Sequence, residues 1–415
     1  MITTIAALAL LVAESPAAPP SMELFEKARQ HMAETLVNQP NYVCIETIER
    51  SERTNAKAKF QMVDSLRFEV AYLDHREHFA WPGSKRFDET SVLDLAPGGA
   101  LIGTGEFAGH AYLLFRTKAP AIGAGSWSTE DGKLYARFPF TVPTSRSRYE
   151  VMNSRNDGEY VGYSGGIWID SALGRVTRIR LHADEIPGRL GIASSESTID
   201  YGPATIGERE SWLPVQSTDE IVMARGVADR NVTSFSGCRA FTGESTLRFD
   251  DVPLTPSGSA VAAPLKMMEL PAGIRFEVRF LDAIDSNKVH VGDPMRAELA
   301  SSIKHEGEIL FEKGSAVEMR LVRIQRSREA TALVFAAGDV TSPTARARVN
   351  AVPSEDTRSH VLYSGGFPQM MGDPKKPGLI TIFVQGNRLE VAKGYGSTWS
   401  TVPPLHPAAV VSHER

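Results

Sequence analysis

The alternation of apolar and polar side chains changes character once near the start of the chain. Leu24, Ala28, His31, Met32 and Thr35-Leu36 recur close to helical spacing, and Asn38 with Pro40 ends the run, so the pattern predicts one amphipathic helix. From Asn41 onward the period shortens to two. In Leu66-Arg67-Phe68-Glu69-Val70 the apolar residues fall on one face of a pleated strand and the charged ones on the other. Half-buried antiparallel strands follow from that alternation.

Turn composition locates the connections. Residues 166–170 and 176–181 flank Ser171-Ala172-Leu173-Gly174, a hairpin-length link. Residues 197–201 and 212–217 flank a loop with Gly202-Pro203 and Gly207, and a third run at 220–224 continues the meander. Phe107, Ala111, Leu114 and Phe115 sit at helical spacing, which predicts a short helix packed on the sheet over 106–115. Beyond a stretch with Pro253, Pro256 and Pro264, alternation resumes in Ile274, Phe276, Val278 and Phe280 and again in Val317, Met319 and Leu321. Residues 379–384 are expected to meet 388–392 across a Gly386-Asn387 turn.

The expected class is therefore mainly β: a curved antiparallel sheet, or half-barrel, with one or two helices, followed by a small β-barrel or sandwich. The expected divisions are 1–20, signal peptide and spacer; 21–252, helix plus curved sheet; 253–269, linker; 270–402, second domain; and 403–415, disordered tail. Two domains also suit a chain of 415 residues that is 42% hydrophobic.

Charge narrows the partners. The 45 Lys and Arg residues are interleaved among 50 Asp and Glu, for a formal net charge of -5, so no overall field favours nucleic acid. The apolar run at 5–13 has the length of a signal-peptide core and falls short of the ~20 residues of a spanning helix. Small residues follow it, although the basic residue usual at a signal start is missing. Together these features predict a periplasmic or secreted protein with no transmembrane segment. The two cysteines, Cys44 and Cys238, would then form one long-range disulfide in an oxidising compartment.

The helix before Tyr42-Val43-Cys44, the Gly166-Ile167-Trp168-Ile169-Asp170 strand with Arg175-Val176 after it, and Trp212-Leu213-Pro214-Val215 give the first domain a resemblance to the periplasmic lipoprotein-carrier superfamily, the outer-membrane lipoprotein-sorting proteins. The resemblance implies a hydrophobic concave face that holds acyl chains. The second domain, through Leu270-Pro271-Ala272-Gly273, Val291-Gly292-Asp293 and Lys313-Gly314-Ser315, is similar to the C-terminal barrel of conjugation and type IV secretion core proteins, which implies a docking role.

Several motifs imitate catalytic sites. Gly162-Tyr163-Ser164-Gly165-Gly166 fits the G-x-S-x-G pattern of hydrolases, but Ile167-Trp168-Ile169 continues as strand where a helix is required, so a Gly-rich turn is expected. Tyr363-Ser364-Gly365-Gly366 repeats the tetrapeptide. Gly103-Thr104-Gly105-Glu106-Phe107-Ala108 precedes a helix without a βαβ setting and reads as helix entry. In Asp74-His75-Arg76-Glu77-His78, strand geometry puts His75 and Glu77 on one side and His78 on the other, dividing the metal ligands. Asn231-Val232-Thr233 fits the glycosylation pattern and reads as an ordinary loop.

The expected function is a non-enzymatic envelope protein that binds an apolar ligand, a lipid or a lipidated partner, with the second domain docking an envelope protein. No catalytic residue, metal or cofactor is expected. Trp81, Phe138, Phe140, Trp168 and Trp212 are the candidate ligand-binding residues, because an open curved sheet leaves apolar concave surface to fill. They could equally form the core between sheet and helix. The rivals are a secreted hydrolase using Ser164, a metal enzyme using His75, Glu77 and His78, and a purely structural envelope module.

Overall fold

The computed structural model describes residues 18–38, 41–73, 76–84, 87, 105–153, 155, 157–206, 208–240, 265–327, 329–353, 368–372 and 375–403. The signal-like segment, most of the Pro-rich linker, Asp74-His75, Gly103-Thr104, the repeat at 363–366 and the tail beyond 403 lie outside them. The protein is mainly β, with 59% strand and 10% helix among the described residues, built on large antiparallel sheets with a curled half-barrel.

The first helix, α1, spans Met22–Asn38 and buries Phe25, Ala28 and Met32, an i, i+3, i+7 stripe. Burying Phe25 and Met32 stabilises the fold by roughly 1.5–3 kcal/mol each. Phe25 meets Phe138 with ring centroids 5.2 Å apart, which lays the helix on the sheet. The strands are β1 Tyr42–Arg53, β2 Gln61–Leu73 and β3 Arg76–Ala80; then, after a second helix α2 (Gly109–Arg116), β4 Ala121–Ile122, β5 Ser126–Glu130, β6 Lys133–Val142, β7 Tyr149–Met152, β8 Gly158–Asp170, β9 Arg175–Asp184, β10 Ile192–Ile206, β11 Arg209–Met223 and β12 Ala228–Ala240.

These strands form one sheet in the order β3-β2-β1-β12-β11-β10-β9-β8-β6-β4, with β5 on β6 and β7 on β8. From β8 to β12 it is a meander of local hairpins, and β1 closes against β12 from the far end of the domain. The 171–174 hairpin and the α2 helix appear where the periodicity puts them. The run at 220–224 is not a separate strand but the end of β11. Opposite Tyr201, β11 skips Val215 in a bulge, and Pro214 sits there, where the disrupted ladder tolerates a residue without an N–H.

The disulfide between Cys44 and Cys238 is formed. It lies where the β1–β12 register shifts, between Val43 and Ile45, so that Gly237 and Cys238 together oppose Cys44. Gly237 has a φ of 57°, the left-handed conformation a glycine accepts at little cost. That turn brings Cys238 round to the fully buried Cys44.

The second sheet runs Lys266–Met268, Ala345–Arg348, Ala330–Thr341, Ala316–Arg326, Pro294–Leu299, Arg275–Phe280, Gly396–Thr401, Ala351–Pro353. Leu379–Gln385 pairs with Ala330–Thr341 and with Gln369–Gly372, whereas Glu390–Val391 pairs with Ile284–Asp285. The hairpin expected across Gly386-Asn387 therefore does not form; the chain crosses there to a different partner.

The two sheets meet along the part of β2 that β3 leaves open. Val291 N–H donates to Ser65 O at 2.8 Å and Arg67 N–H to Val291 O at 2.7 Å, which covers the free strand edge. Arg67 pairs with Asp293 at 2.9 Å, and Arg320 donates to Gly292 O at 2.6 Å and Pro82 O at 3.2 Å. Phe68, Trp81, Val291 and Leu321 belong to one continuous apolar cluster across this junction.

Candidate functional site

Polar side chains cross the concave face of the first sheet in one transverse row. Asp64 on β2 faces Arg50 on β1, Arg50 faces Asn231 on β12, Asn231 faces Asp219 on β11, and Asp219 faces Ser197 on β10. All five are buried. Registered residues on adjacent strands share a face, so the row points inward as a unit. On β1 the inward positions are Tyr42, Cys44, Glu46 and Ile48, and on β10 they are Ser195, Ser197, Ile199 and Tyr201. Polar groups thus sit between two apolar regions: on one side the side chains around Tyr42, Cys44 and Phe235 and around Ile199, and on the other Ile221 and Ile192.

The chain entering α2 closes over this row. Phe107 packs against Tyr42 at 5.1 Å and against Phe235 at 5.2 Å. Glu77, on β3, accepts backbone N–H groups of Gly105 at 2.9 Å, Ala108 at 2.9 Å and Gly109 at 3.2 Å. A carboxylate is well suited to the orphan donors and positive dipole end of a helix start. Glu106 is thereby held inward, and its carboxyl hydrogen-bonds Asp219. Ser217 Oγ also reaches Asp219, at 3.4 Å.

Four carboxyl groups converge, and the charges acting on them are one another's. Burial raises Glu46 well above the usual 4.5, with Glu77 and Asp219 adding repulsion. Burial raises Glu106 likewise, with Asp219, Glu77 and Glu46 pushing the same way. Asp219 is pushed up to about 6 by burial, partly offset by hydrogen bonds from neighbouring hydroxyls and Glu106. Glu77 rises less, because the backbone N–H groups it accepts stabilise its charge against desolvation. Glu106 is the harder of the two to ionise, because burial and the repulsion of three neighbouring acids all act on it.

Other polar groups complete the surround. His110 on α2 is buried, and desolvation lowers its pKa to about 4, so it is neutral at pH 7. Its ring lies 5.6 Å from that of Tyr149, whose hydroxyl hydrogen-bonds Ser195 at 3.1 Å. The Tyr201 hydroxyl has no hydrogen-bond partner, although the residue is only 6% exposed. Glu77 and Glu106 are the charged groups that act on it. Leaving such a group unpaired costs about 1–3 kcal/mol. Among the described residues no three His, Cys, Asp or Glu side chains are arranged to hold a metal ion. The cluster can hold and release protons and can receive a positively charged group.

The structure places the five candidate aromatics in four separate surroundings. Phe138 and Phe140 are in the core beneath α1. Trp168 is on the opposite, convex face between the Arg137 and Arg180 guanidinium groups, at 5.2 and 4.7 Å, and donates to Glu130 at 2.8 Å. Trp212 lies under Arg175 and donates to Val176 O at 2.6 Å. Trp81 stacks on Phe68 at the junction with the second sheet.

Ser164 lies inside β8 rather than in the expected turn, and no helix follows it. Its hydroxyl donates to Asp184 at 2.9 Å, while His182, the residue across from it, turns its Nδ1 to Glu196 at 3.5 Å. Of the possible metal ligands, Glu77 is occupied by the α2 entry and His78 is its neighbour on β3; His75 is outside the described residues. Asn231 is not in a loop: it lies in β12 with its side chain buried, closed to modification.

The inward carboxyls escaped the sequence reading because a charged residue in an alternating strand reads as outward-facing. A signal was present in Glu46, which shares its parity with Tyr42, Cys44 and Ile48.

No protein-family model matches the chain, and no curated protein matches it. Among solved structures it is similar to a DUF1329 family protein from Desulfovibrio piger ATCC 29098, with a TM-score of 0.30 and 13% identity over 55% of this chain and 96% of that one.

Proposed function

We propose that this chain is a non-enzymatic exported binding protein of the cell envelope, in which the concave face of the first sheet takes an amphiphilic, lipid-like ligand and the second sheet serves as a docking module. One observation carries the reading: a buried polar belt, with an unpartnered Tyr201 hydroxyl, lies between two apolar regions of a single concave face. Packing alone favours apolar side chains at those positions, since buried unpaired polar groups cost free energy. A ligand with an apolar body and a polar head matches both surfaces. The formed Cys44–Cys238 bond fits an oxidising compartment, and no described helix is long and apolar enough to cross a membrane. The resemblance to lipoprotein carriers supports the same placement of the apolar part.

The test is native mass spectrometry of protein recovered from its own compartment, followed by solvent extraction. A stoichiometric amphiphile lost on extraction is the expected result. Recovery of the bare chain alone, under conditions that retain lipid on a known carrier, would count against the reading.

A further inference from the structure

The position, number and isolation of the buried carboxyls say more about the head of the ligand. Glu46, Glu77, Glu106 and Asp219 arrive from β1, β3, the α2 entry and β11, so four separate elements deliver acid to one place. Arg50, in the polar row, pairs with Asp64 through two hydrogen bonds of 2.7 Å each. His110, the other basic group facing the cluster, is neutral at pH 7 because burial disfavours its charge. The second, independent feature is Tyr201: a buried hydroxyl that nothing in the described protein satisfies, held next to Glu77 and Glu106.

We infer that this acidic cluster receives the protonated amine of an amphiphile, an alkylammonium head whose N–H groups donate to Asp219, Glu106 and the Tyr201 oxygen. The inference rests on the amphiphile-binding reading and adds the class of ligand. An ammonium group has donors and no acceptor, which suits a set of carboxylates and a phenol oxygen. A carboxylate or phosphate head would add charge of the same sign to a cluster that already repels itself, and a neutral hydroxyl head would leave the carboxyls without a counter-ion. Bare metal ions are poorly served, since no described triad has the geometry. The proton balance is simple. An alkylammonium ion beside the cluster favours the ionised form of these raised carboxyls, so its binding displaces a proton from them to solvent and leaves carboxylates facing the cation.

The experiment uses the full chain and three probes of equal tail length: octylamine, octanoate and octanol. Each is titrated calorimetrically at pH 7 in two buffers of different ionisation enthalpy. Octylamine is expected to bind one to one with release of about one proton, at least tenfold more tightly than either other probe, the scale of one hydrogen bond to a charged group. Glu106→Gln should weaken octylamine about tenfold and abolish the proton release. Because that variant also alters packing at the α2 entry, Tyr201→Phe is the second probe; it removes an unsatisfied group, so its thermal stability should equal or exceed the parent's while octylamine binds several-fold more weakly. If octanoate or octanol binds as tightly as octylamine and no proton is released, the amine head is wrong and the amphiphile reading stands. If none of the three binds, both fall.

Discussion

Arg50 and Asp64 form a two-point ion pair inside the first sheet, with Nε donating to Oδ1 and Nη2 to Oδ2, each side chain only 4% exposed. Because β1 and β2 hold them opposite one another, the pair comes ready-aligned. Removing one partner leaves the other's charge buried and uncompensated. Asp64→Ala is therefore expected to lower stability by about 3–5 kcal/mol, measured by urea unfolding. A loss below about 1 kcal/mol would show that water reaches the guanidinium.

The carboxyl cluster makes stability depend on pH. A carboxyl whose folded pKa is raised contributes most below its unfolded value and loses that contribution as pH rises through the folded one. Asp219 loses it between its ordinary 3.8 and about 6, and Glu46 and Glu106 lose theirs as pH rises from their ordinary 4.5 through their own raised values. His110 acts the other way: depressed from 6.5 to about 4, it contributes fully above 6.5 and loses this as pH falls through 4. The two trends oppose each other in mild acid. Above pH 6.5 the His110 contribution no longer changes, so stability should fall with rising pH as the raised carboxyls ionise in the folded state. Denaturant unfolding at several pH values reads the slope, and Glu106→Gln should flatten it. A flat or rising profile in the parent would contradict the burial of these groups.

The junction between the sheets depends on Gly292. Its φ is 103°, and a Cβ there would overlap the Arg67 carbonyl oxygen and the Trp81 ring. Gly292→Ala is expected to part the sheets while each keeps its strands. The readout is a larger radius of gyration by small-angle scattering with unchanged far-ultraviolet circular dichroism. An unchanged radius would mean that Arg320 and the shared apolar cluster hold the junction by themselves.

Ser164 is expected to be chemically inert. Its one hydroxyl proton goes to Asp184, and the oxyanion donors of a strand-to-helix elbow are missing around it. A serine-directed fluorophosphonate should not label the chain, and Ser164→Ala should bind octylamine like the parent. Stoichiometric labelling lost in that variant would promote the hydrolase reading.

Much of this architecture is written in local periodicity. The helical spacing of Leu24, Ala28 and Met32, the turn Ser171-Ala172-Leu173-Gly174 and the alternation at 66–70 each report on neighbours a few residues away, and each element forms. What periodicity cannot supply is the content of the concave face. Glu46 and Asp219 are 173 residues apart in number (219 less 46), and only the pairing of β1 with β12 and of β12 with β11 brings them to one place. The same limit explains Ser164: Gly162, Gly165 and Gly166 suit a turn, yet the sheet uses them where a strand passes close to its neighbours. A Cβ on Gly165 would overlap the Arg180 carbonyl oxygen, and one on Gly166 would crowd the Trp168 ring.

The Cys44–Cys238 seam also orders events in time. From β8 to β12 the strands pair with sequence neighbours, and β1 to β3 do the same at the other end, so each group assembles by closing short loops. The β1–β12 ladder joins chain ends 194 residues apart and cannot form until the last strand has emerged. Until then β1 and β12 each present an open edge, and Glu46 and Asp219 remain in water as ordinary ionised acids. Closing the seam is the step that strips them of water and raises their proton affinity. Oxidation of the two thiols then locks the ladder that holds the acids together.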